Sequence, residues 1–239
     1  MLPMFDDDNH EGFEDGELKS DLDRFEKHLQ GESIGFLDSD RWEAMIDHFL
    51  IAGQYAKALK CVNEALTQFS YNNTLRLRKA QASSAIGNLK EAIGILNELE
   101  REGIEGMEVL LTKASVFSQL KDSKNAIRYF KEALAAAAPE DQDEIYLDLA
   151  MEYQNAGEMQ RAINVLREAI KQNPSNEGAI YELAFCYDQT GDFKASVQCY
   201  SDFIDNNPYS FTAWHNLGNA YAKNENLERR PGHTTIVCS

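Results

Sequence analysis

The sequence predicts an all-α solenoid made of stacked helix pairs. The first observation behind this prediction is a period of 34 residues, which separates Gly53 from Gly87 and Gly157 from Gly191. The second is that the segments around these glycines carry apolar residues at spacings of three and four, the pattern of amphipathic helices. Because an amphipathic helix cannot bury its apolar face alone, stacking of the repeated pairs must form the core.

Other residue types recur in phase with the glycines. Small side chains stand five residues after the glycine phase, at Ala58, Ala92, Ala126, Ala162 and Ser196. Aromatic side chains occupy another phase, at Phe49, Phe117, Tyr153, Tyr187 and Tyr221. Proline closes two repeats, at Pro174 and Pro208. The small residues let the two helices of a pair approach closely, while the large residues fill the gap to the next pair.

The segment AWHNLGNAYAK resembles the first helix of a tetratricopeptide repeat. Its signature residues are Trp214, Leu217, Gly218 and Tyr221. Trp42 begins the first repeat in the same phase, and the resemblance covers residues 39–227. It implies a right-handed superhelical solenoid of antiparallel helix pairs. It also implies five full repeats and a partial sixth, starting near residues 39, 73, 107, 143, 177 and 211.

Residues 1–38 precede the repeats. The first 40 residues contain 13 acidic and 3 basic side chains, so we interpret residues 1–15 as a disordered acidic arm. Residues 16–38 contain one amphipathic helix and a linker, with apolar residues at Leu18, Leu22, Phe25 and Leu29. We interpret this helix as a cap over the first repeat. The alternative is a detachable segment that folds back into the groove as an internal ligand.

Residues 228–239 do not follow the repeat. They place Arg230 at the small-residue phase and Pro231 directly after it, and proline there would break the second helix of the sixth repeat. We therefore interpret this tail as the result of truncation or as foreign sequence. The first helix of the sixth repeat would then lack its cover, which predicts a homodimer through this end.

The composition argues against several classes of protein. The net charge of −17 disfavours nucleic acid binding, because phosphate contacts need clustered lysine and arginine. No apolar run is long enough to span a membrane and no secretory signal is apparent, so we expect a cytoplasmic protein. The four cysteines lack the close spacing of zinc sites or redox motifs: Cys61, Cys186, Cys199 and Cys238.

No catalytic motif is apparent. The five histidines are scattered, and the sequence contains no His-Glu-x-x-His box, phosphate-binding glycine loop or Gly-x-Ser-x-Gly elbow. We therefore expect neither catalytic activity nor a cofactor. The family resemblance instead implies a concave groove lined by the first helices. It places ten candidate peptide-binding residues there: Leu77, Arg78, Leu111, Leu147, Met151, Tyr181, Phe185, His215, Asn216 and Asn219.

The apolar members of this set form a stripe typical of a peptide-binding groove. The alternative is that some of them pack against neighbouring repeats. Family members that bind the acidic C-termini of chaperones use basic residues in the groove, whereas this chain has Glu43, Asp47, Leu77, Leu111, Asp148 and Glu182 at such positions. We therefore expect a ligand with apolar anchors and basic flanks.

The function predicted is a non-catalytic scaffold that holds a peptide or protein segment in the groove. The alternative is a regulatory or substrate-docking region of a larger enzyme or assembly, whose remaining part lies beyond the C-terminus. Envelope-assembly and peptide-sensing roles fit less well, because the acidic first 40 residues contain neither a lipoprotein signal nor a DNA-reading helix pair.

Overall fold

The computed structural model describes residues 15–228 of the chain. Within this range it contains twelve α-helices, one short 3-10 helix and no strand, so the predicted all-α solenoid of helix pairs is confirmed. The chain divides into two compact units, with the boundary between Tyr129 and Phe130. The predicted acidic arm, apart from Asp15, and the predicted tail, apart from Glu228, lie outside the described residues.

The first unit contains helices α1 to α6 and the first half of α7. Their bounds are α1 Asp15–His28, α2 Ser39–Ile51, α3 Tyr55–Gln68, α4 Asn73–Ala85, α5 Leu89–Arg101, α6 Met107–Gln119 and α7 Ser123–Ala136. The second unit contains the rest of α7, a 3-10 turn and five further helices. These are Pro139–Asp141, α8 Gln142–Asn155, α9 Met159–Gln172, α10 Glu177–Thr190, α11 Phe193–Asn206 and α12 Phe211–Glu228.

Asparagine and aspartate start several of these helices. The side chains of Asp38, Asn72, Asn176 and Asp192 each accept a hydrogen bond from a backbone N–H in the first turn of the helix that follows. Such caps satisfy N–H groups that have no partner inside the helix. None of the described helices combines the length and apolarity needed to cross a lipid bilayer.

A residue in the left-handed region ends the first helix of each full repeat. Gly53, Gly87, Gly157 and Gly191 have φ between 69° and 83°. Glycine adopts this conformation without the steric penalty that a Cβ atom brings. This explains why glycine recurs with a period of 34 residues in the sequence. Lys121 occupies the same phase in the third repeat and has φ of 60°. It is the one non-glycine residue with positive φ in the described part of the chain.

The core of the first unit begins with α1, which packs on α2 and α3. The Phe25 ring contacts Trp42 edge-on, with centroids 6.3 Å apart, and also contacts Phe49. Beside these rings, Asp21 is almost fully buried and accepts a hydrogen bond of 2.6 Å from Nε of Arg41. This bond raises the pKa of the Arg41 guanidinium above its usual value. Helix α1 is therefore held by both apolar packing and a buried ion pair.

The second unit has its own core between α8 and α12. Buried residues of α10, α11 and α12 form one cluster, which includes Ile180, Tyr200, Phe203 and Leu217. Two buried tyrosines also keep their hydroxyl groups hydrogen-bonded. Nε2 of Gln172 donates to the Tyr146 hydroxyl and Nε of Arg167 donates to the Tyr187 hydroxyl, each at 2.8 Å. Ring burial therefore leaves neither hydroxyl group unsatisfied.

Candidate functional site

Each unit presents one face made by the first helices of its repeats. Helices α2, α4 and α6 form the first-unit face, and helices α8, α10 and α12 form the second-unit face. Leu77, Arg78 and Leu111 belong to the first-unit face. The second-unit face holds the other predicted residues, which are Leu147, Met151, Tyr181, Phe185, His215, Asn216 and Asn219.

The first-unit face has little apolar surface at the predicted positions. Leu77 is only 7% exposed and packs in a core cluster with Leu96 and Leu99. Leu111 is half-buried. Leu77 was predicted to line the groove, but its side chain packs against the neighbouring helices instead, which is the alternative that the sequence left open.

Arg78 lies at the centre of a polar network on this face. Its Nε donates to Oδ1 of Asp47 on α2 at 2.6 Å, and its Nη1 donates to Glu108 on α6. Burial alone would lower the pKa of Arg78, but the two carboxylates outweigh it and raise the pKa. Nε2 of Gln81 donates to Glu108 at 3.2 Å and to the Thr112 hydroxyl at 3.4 Å. The polar groups of this face are thus hydrogen-bonded to one another across three helices.

The role of Glu108 was not predicted from the sequence. Arg78 was predicted to bind the ligand, whereas the structure shows its guanidinium held by Asp47 and Glu108. A signal was present, because carboxylates stand about one repeat before and after Arg78 in the sequence. Opposite charges at that spacing indicate contact between neighbouring first helices.

The second-unit face keeps two large apolar side chains accessible. Met151 on α8 is 50% exposed, and Phe185 on α10 is 45% exposed. The two residues are one 34-residue period apart, so they occupy equivalent positions of adjacent repeats. They are therefore the members of the predicted stripe that remain available to a ligand.

Leu147 and Tyr181 are more enclosed. A Cβ atom added at Gly178 would lie 3.1 Å from Cδ1 of Leu147, so this leucine packs against the backbone at the start of α10. The Tyr181 ring contacts the rings of Tyr200 and Phe203, with centroids 6.1 and 6.4 Å away. Both side chains support the face and expose only part of their surface.

The second-unit face also carries carboxylates. Glu182 accepts a hydrogen bond of 3.0 Å from Gln154, and Asp188 pairs with Lys223 of α12. Oδ1 of Asp188 is buried without a hydrogen-bond partner, which leaves one acceptor of this carboxylate unsatisfied. The face is therefore both apolar and acidic.

Helix α12 supplies the remaining predicted residues. His215 and Asn219 are exposed, and Asn216 is half-buried. These side chains offer polar groups that could hydrogen-bond to an extended backbone.

Asp148, next to Leu147, carries a perturbed carboxyl group. Burial raises its pKa to about 6, and the charges of Glu144 and Glu152 act in the same direction. The folded chain therefore binds this proton more tightly than the unfolded chain. The stability that this group contributes is greatest below its unfolded pKa of 3.8 and falls as the pH rises through 6.

Replacing Asp148 with asparagine is therefore expected to stabilise the second unit above pH 6. The gain relative to the unmodified chain should be on the order of 2 kcal/mol at pH 8 and should vanish near pH 4. Urea unfolding of both chains at each pH measures this difference. Glu140→Gln, which removes an exposed carboxylate, is the control. A gain that is the same at pH 4 and pH 8 would contradict the assignment.

The cysteines of the described residues are packing residues. Cys61, Cys186 and Cys199 are free thiols, and Cys238 lies outside the described range. Burial raises the pKa of Cys186 and of Cys199 to about 11. Both therefore remain thiols at neutral pH, whereas nucleophilic cysteines are thiolates.

Comparison with protein families gives a consistent match along the chain. Three family models, each described as a tetratricopeptide repeat, match residues 44–106, 108–139 and 153–218. No curated protein matches the sequence significantly.

Solved structures with similar folds contain the same kind of repeat. YrrB, described as a TPR protein with an unusual peptide-binding site, has a TM-score of 0.55 and 18% identity, covering 83% of this chain and 97% of YrrB. A tetratricopeptide repeat protein from Parabacteroides merdae has a TM-score of 0.59 and 14% identity, covering 78% and 73%. A chain of the APC/C hetero-tetramer Cut9–Hcn1 has a TM-score of 0.62 and 16% identity, covering 86% of this chain and 40% of that chain. At these identities the similarity shows the fold alone.

Proposed function

This chain belongs to the tetratricopeptide repeat family, and on that basis we propose that it is a non-catalytic scaffold whose second-unit face binds a peptide or protein segment. Tetratricopeptide repeats are protein-interaction scaffolds, and their partners are peptides or proteins. The ligand contacts the second-unit face, and the bound segment has apolar anchors and basic flanks.

The exposure of Met151 and Phe185 on adjacent helices is the observation that carries this proposal. Two large apolar side chains at equivalent positions of neighbouring repeats offer contacts for two apolar anchors of one ligand. Asp148 stands three residues before Met151 and Glu182 three residues before Phe185, so lysine or arginine beside each anchor would meet opposite charge. An acidic ligand would be repelled by the same carboxylates.

The first-unit face is a poorer binding surface for physical reasons. A ligand there would have to displace hydrogen bonds that Arg78 and Gln81 already make with Glu108. Each such exchange gives little net free energy, because one hydrogen bond replaces another. Leu77 adds little apolar surface, since it is buried.

Selection from a random-peptide library against the full chain tests the proposal. Recovered peptides are expected to contain large apolar residues next to lysine or arginine. Replacing Phe185 with alanine should weaken the Kd of such a peptide about thirtyfold, which corresponds to losing about 2 kcal/mol from one buried aromatic anchor. Isothermal titration calorimetry at low and high salt measures the change, and binding should weaken as salt screens the carboxylates.

The chain offers a matched control pair for the double replacement of Met151 and Phe185 by serine. Ile86 and Leu120 are each 45% exposed and are also one period apart, but they stand at the ends of α4 and α6 in the first unit. Their replacement by serine should leave peptide binding unchanged. The proposal would be overturned if peptide binding survived the replacement of Met151 and Phe185 and was lost in the Ile86 and Leu120 control. Selected peptides that are acidic would also overturn it.

A further inference from the structure

Asp148 is a half-buried carboxylate on α8, in the second-unit face. It makes no hydrogen bond or ion pair with another of the described residues. Two other carboxylates of this face are already engaged. Gln154 donates a hydrogen bond to Glu182, and Lys223 pairs with Asp188. A carboxylate that is partly removed from water and has no such partner is unfavourable unless a ligand supplies a cation.

The first unit shows what this position of the repeat can hold. Arg78 stands at the same phase of its repeat as Asp148. Its guanidinium is bound by Asp47 and by Glu108, which lie on the first helices of the two adjacent repeats. Gly178 stands at the phase of Glu108, so α10 has no side chain there that could pair with Asp148. The second-unit face therefore has a carboxylate at this phase, with no guanidinium of the described residues bound to it.

The described charges that act on Asp148 come from its own helix. Burial raises the pKa of Asp148 to about 6, and the charges of Glu144 and Glu152 on α8 act in the same direction. Neither α9 nor α10 contributes a charge to this shift. The carboxyl group is nevertheless ionised at pH 7.5, where it opposes folding. Groups perturbed in this way cluster at functional sites, which agrees with a role in binding.

A guanidinium is the cation that best fits this carboxylate. It is more weakly hydrated than an ammonium, and its planar donors can bind both oxygens of a carboxylate at once. Met151 stands three residues after Asp148 on the same helix and is half exposed, so one ligand segment can contact both side chains. The methylene groups of an arginine can lie along Met151 while the guanidinium reaches the carboxylate.

On the basis of the proposed function, we propose that Asp148 selects the ligand by binding one of its arginine side chains, beside the apolar anchor that contacts Met151. Lysine at the same place binds less tightly, because an ammonium cannot bind both carboxylate oxygens in the same planar geometry. Glu182 and Asp188 contribute mainly a general attraction for basic ligands, because each is already bound to a side chain of the face.

A double-mutant cycle tests this pairing. The probe is the tightest-binding arginine-containing peptide from the random library, prepared with each arginine in turn replaced by citrulline, which keeps the shape and removes the charge. Asp148→Asn should weaken the Kd of the arginine peptide about tenfold at pH 7.5. For one of the citrulline peptides, the same replacement should leave the Kd nearly unchanged, because the partner charge is already absent. Isothermal titration calorimetry measures each Kd.

Glu168→Gln is the matched control for Asp148→Asn. Glu168 is an exposed carboxylate on α9, the second helix of the same repeat, and its replacement changes the net charge by the same amount. The Kd of the arginine peptide should stay within about twofold of its value for the unmodified chain. Since Asp148→Asn is expected to stabilise the second unit at this pH, weaker binding by that variant would not come from unfolding.

The pH dependence of binding gives a second readout. Protonation of Asp148 removes the charge that holds the arginine, so the Kd should be about fivefold weaker at pH 5 than at pH 7.5. The Asp148→Asn chain should lose this dependence.

The outcomes separate this pairing from the proposed function. If no citrulline position is coupled to Asp148, or if the selected peptides carry lysine and no arginine, the pairing is wrong and apolar binding at Met151 and Phe185 still stands. A selection that yields no peptide would overturn the proposed function, and the pairing with it. Binding that is unaffected by the double replacement of Met151 and Phe185 would do the same.

Discussion

Replacing Trp42 with alanine is expected to destabilise the first unit by about 4 kcal/mol, the usual cost of removing a large aromatic side chain from a packed core. Trp42 is 0% exposed, and its ring contacts Phe25 of α1. The loss would therefore open the contact between α1 and the first repeat as well as the repeat itself. Urea unfolding followed by far-UV circular dichroism measures the change.

Trp214 provides the comparison for this experiment, because it occupies the same phase of the repeat. Its ring is half exposed, so Trp214→Ala should cost only about 1 kcal/mol. Trp42→Phe should cost less than Trp42→Ala, since it keeps an aromatic ring and removes an indole N–H that has no hydrogen-bond partner. Equal effects of the two alanine variants would contradict the packing described above.

Replacing Arg78 with methionine should destabilise the first unit by about 3 kcal/mol. Methionine fills a similar volume, but it leaves the Asp47 carboxylate, which is 14% exposed, in its buried position without the guanidinium. The fluorescence of Trp42 in a Trp214→Phe background follows the unfolding of the first unit alone.

Arg76 is the matched control for Arg78. It lies two residues away on α4, and its side chain is 14% exposed compared with 11% for Arg78. Its partners Glu98 and Glu102 are at least half exposed, so water can hydrate them when the guanidinium is lost. Arg76→Met should therefore cost about 1 kcal/mol or less. If both variants lose the same stability, the burial of Asp47 does not decide the cost.

The repeat pattern of the sequence was enough to predict the fold class and the family. The glycine phase and the amphipathic segments depend on local chemistry, which a single repeat already contains. Turn geometry was less predictable at Lys121, where the glycine phase holds a lysine and the chain still takes positive φ. A propensity argument does not foresee this, because a lysine rarely adopts positive φ.

The exposure of the candidate site was harder to predict, because it depends on residues one repeat away. Leu147 is partly enclosed since its neighbour on α10 is Gly178, which has no side chain to hold it off. Tyr181 is enclosed by Tyr200 and Phe203 of α11. Met151 and Phe185 remain about half exposed. The position of a residue within the repeat assigns its side chain to a face of the solenoid. The size of the neighbouring side chains decides whether a ligand can reach that side chain.

The turn at Lys121 forms without the glycine that the other full repeats have at this phase. A non-glycine residue in the left-handed region gives up about 1 kcal/mol relative to glycine. The third repeat nevertheless keeps the turn of the others, with the Lys121 N–H donating to the Ser118 carbonyl at 2.8 Å. The turn therefore forms although its residue type is unfavourable there. A repeat can thus lose the glycine of its turn in the sequence and still keep the turn in the structure.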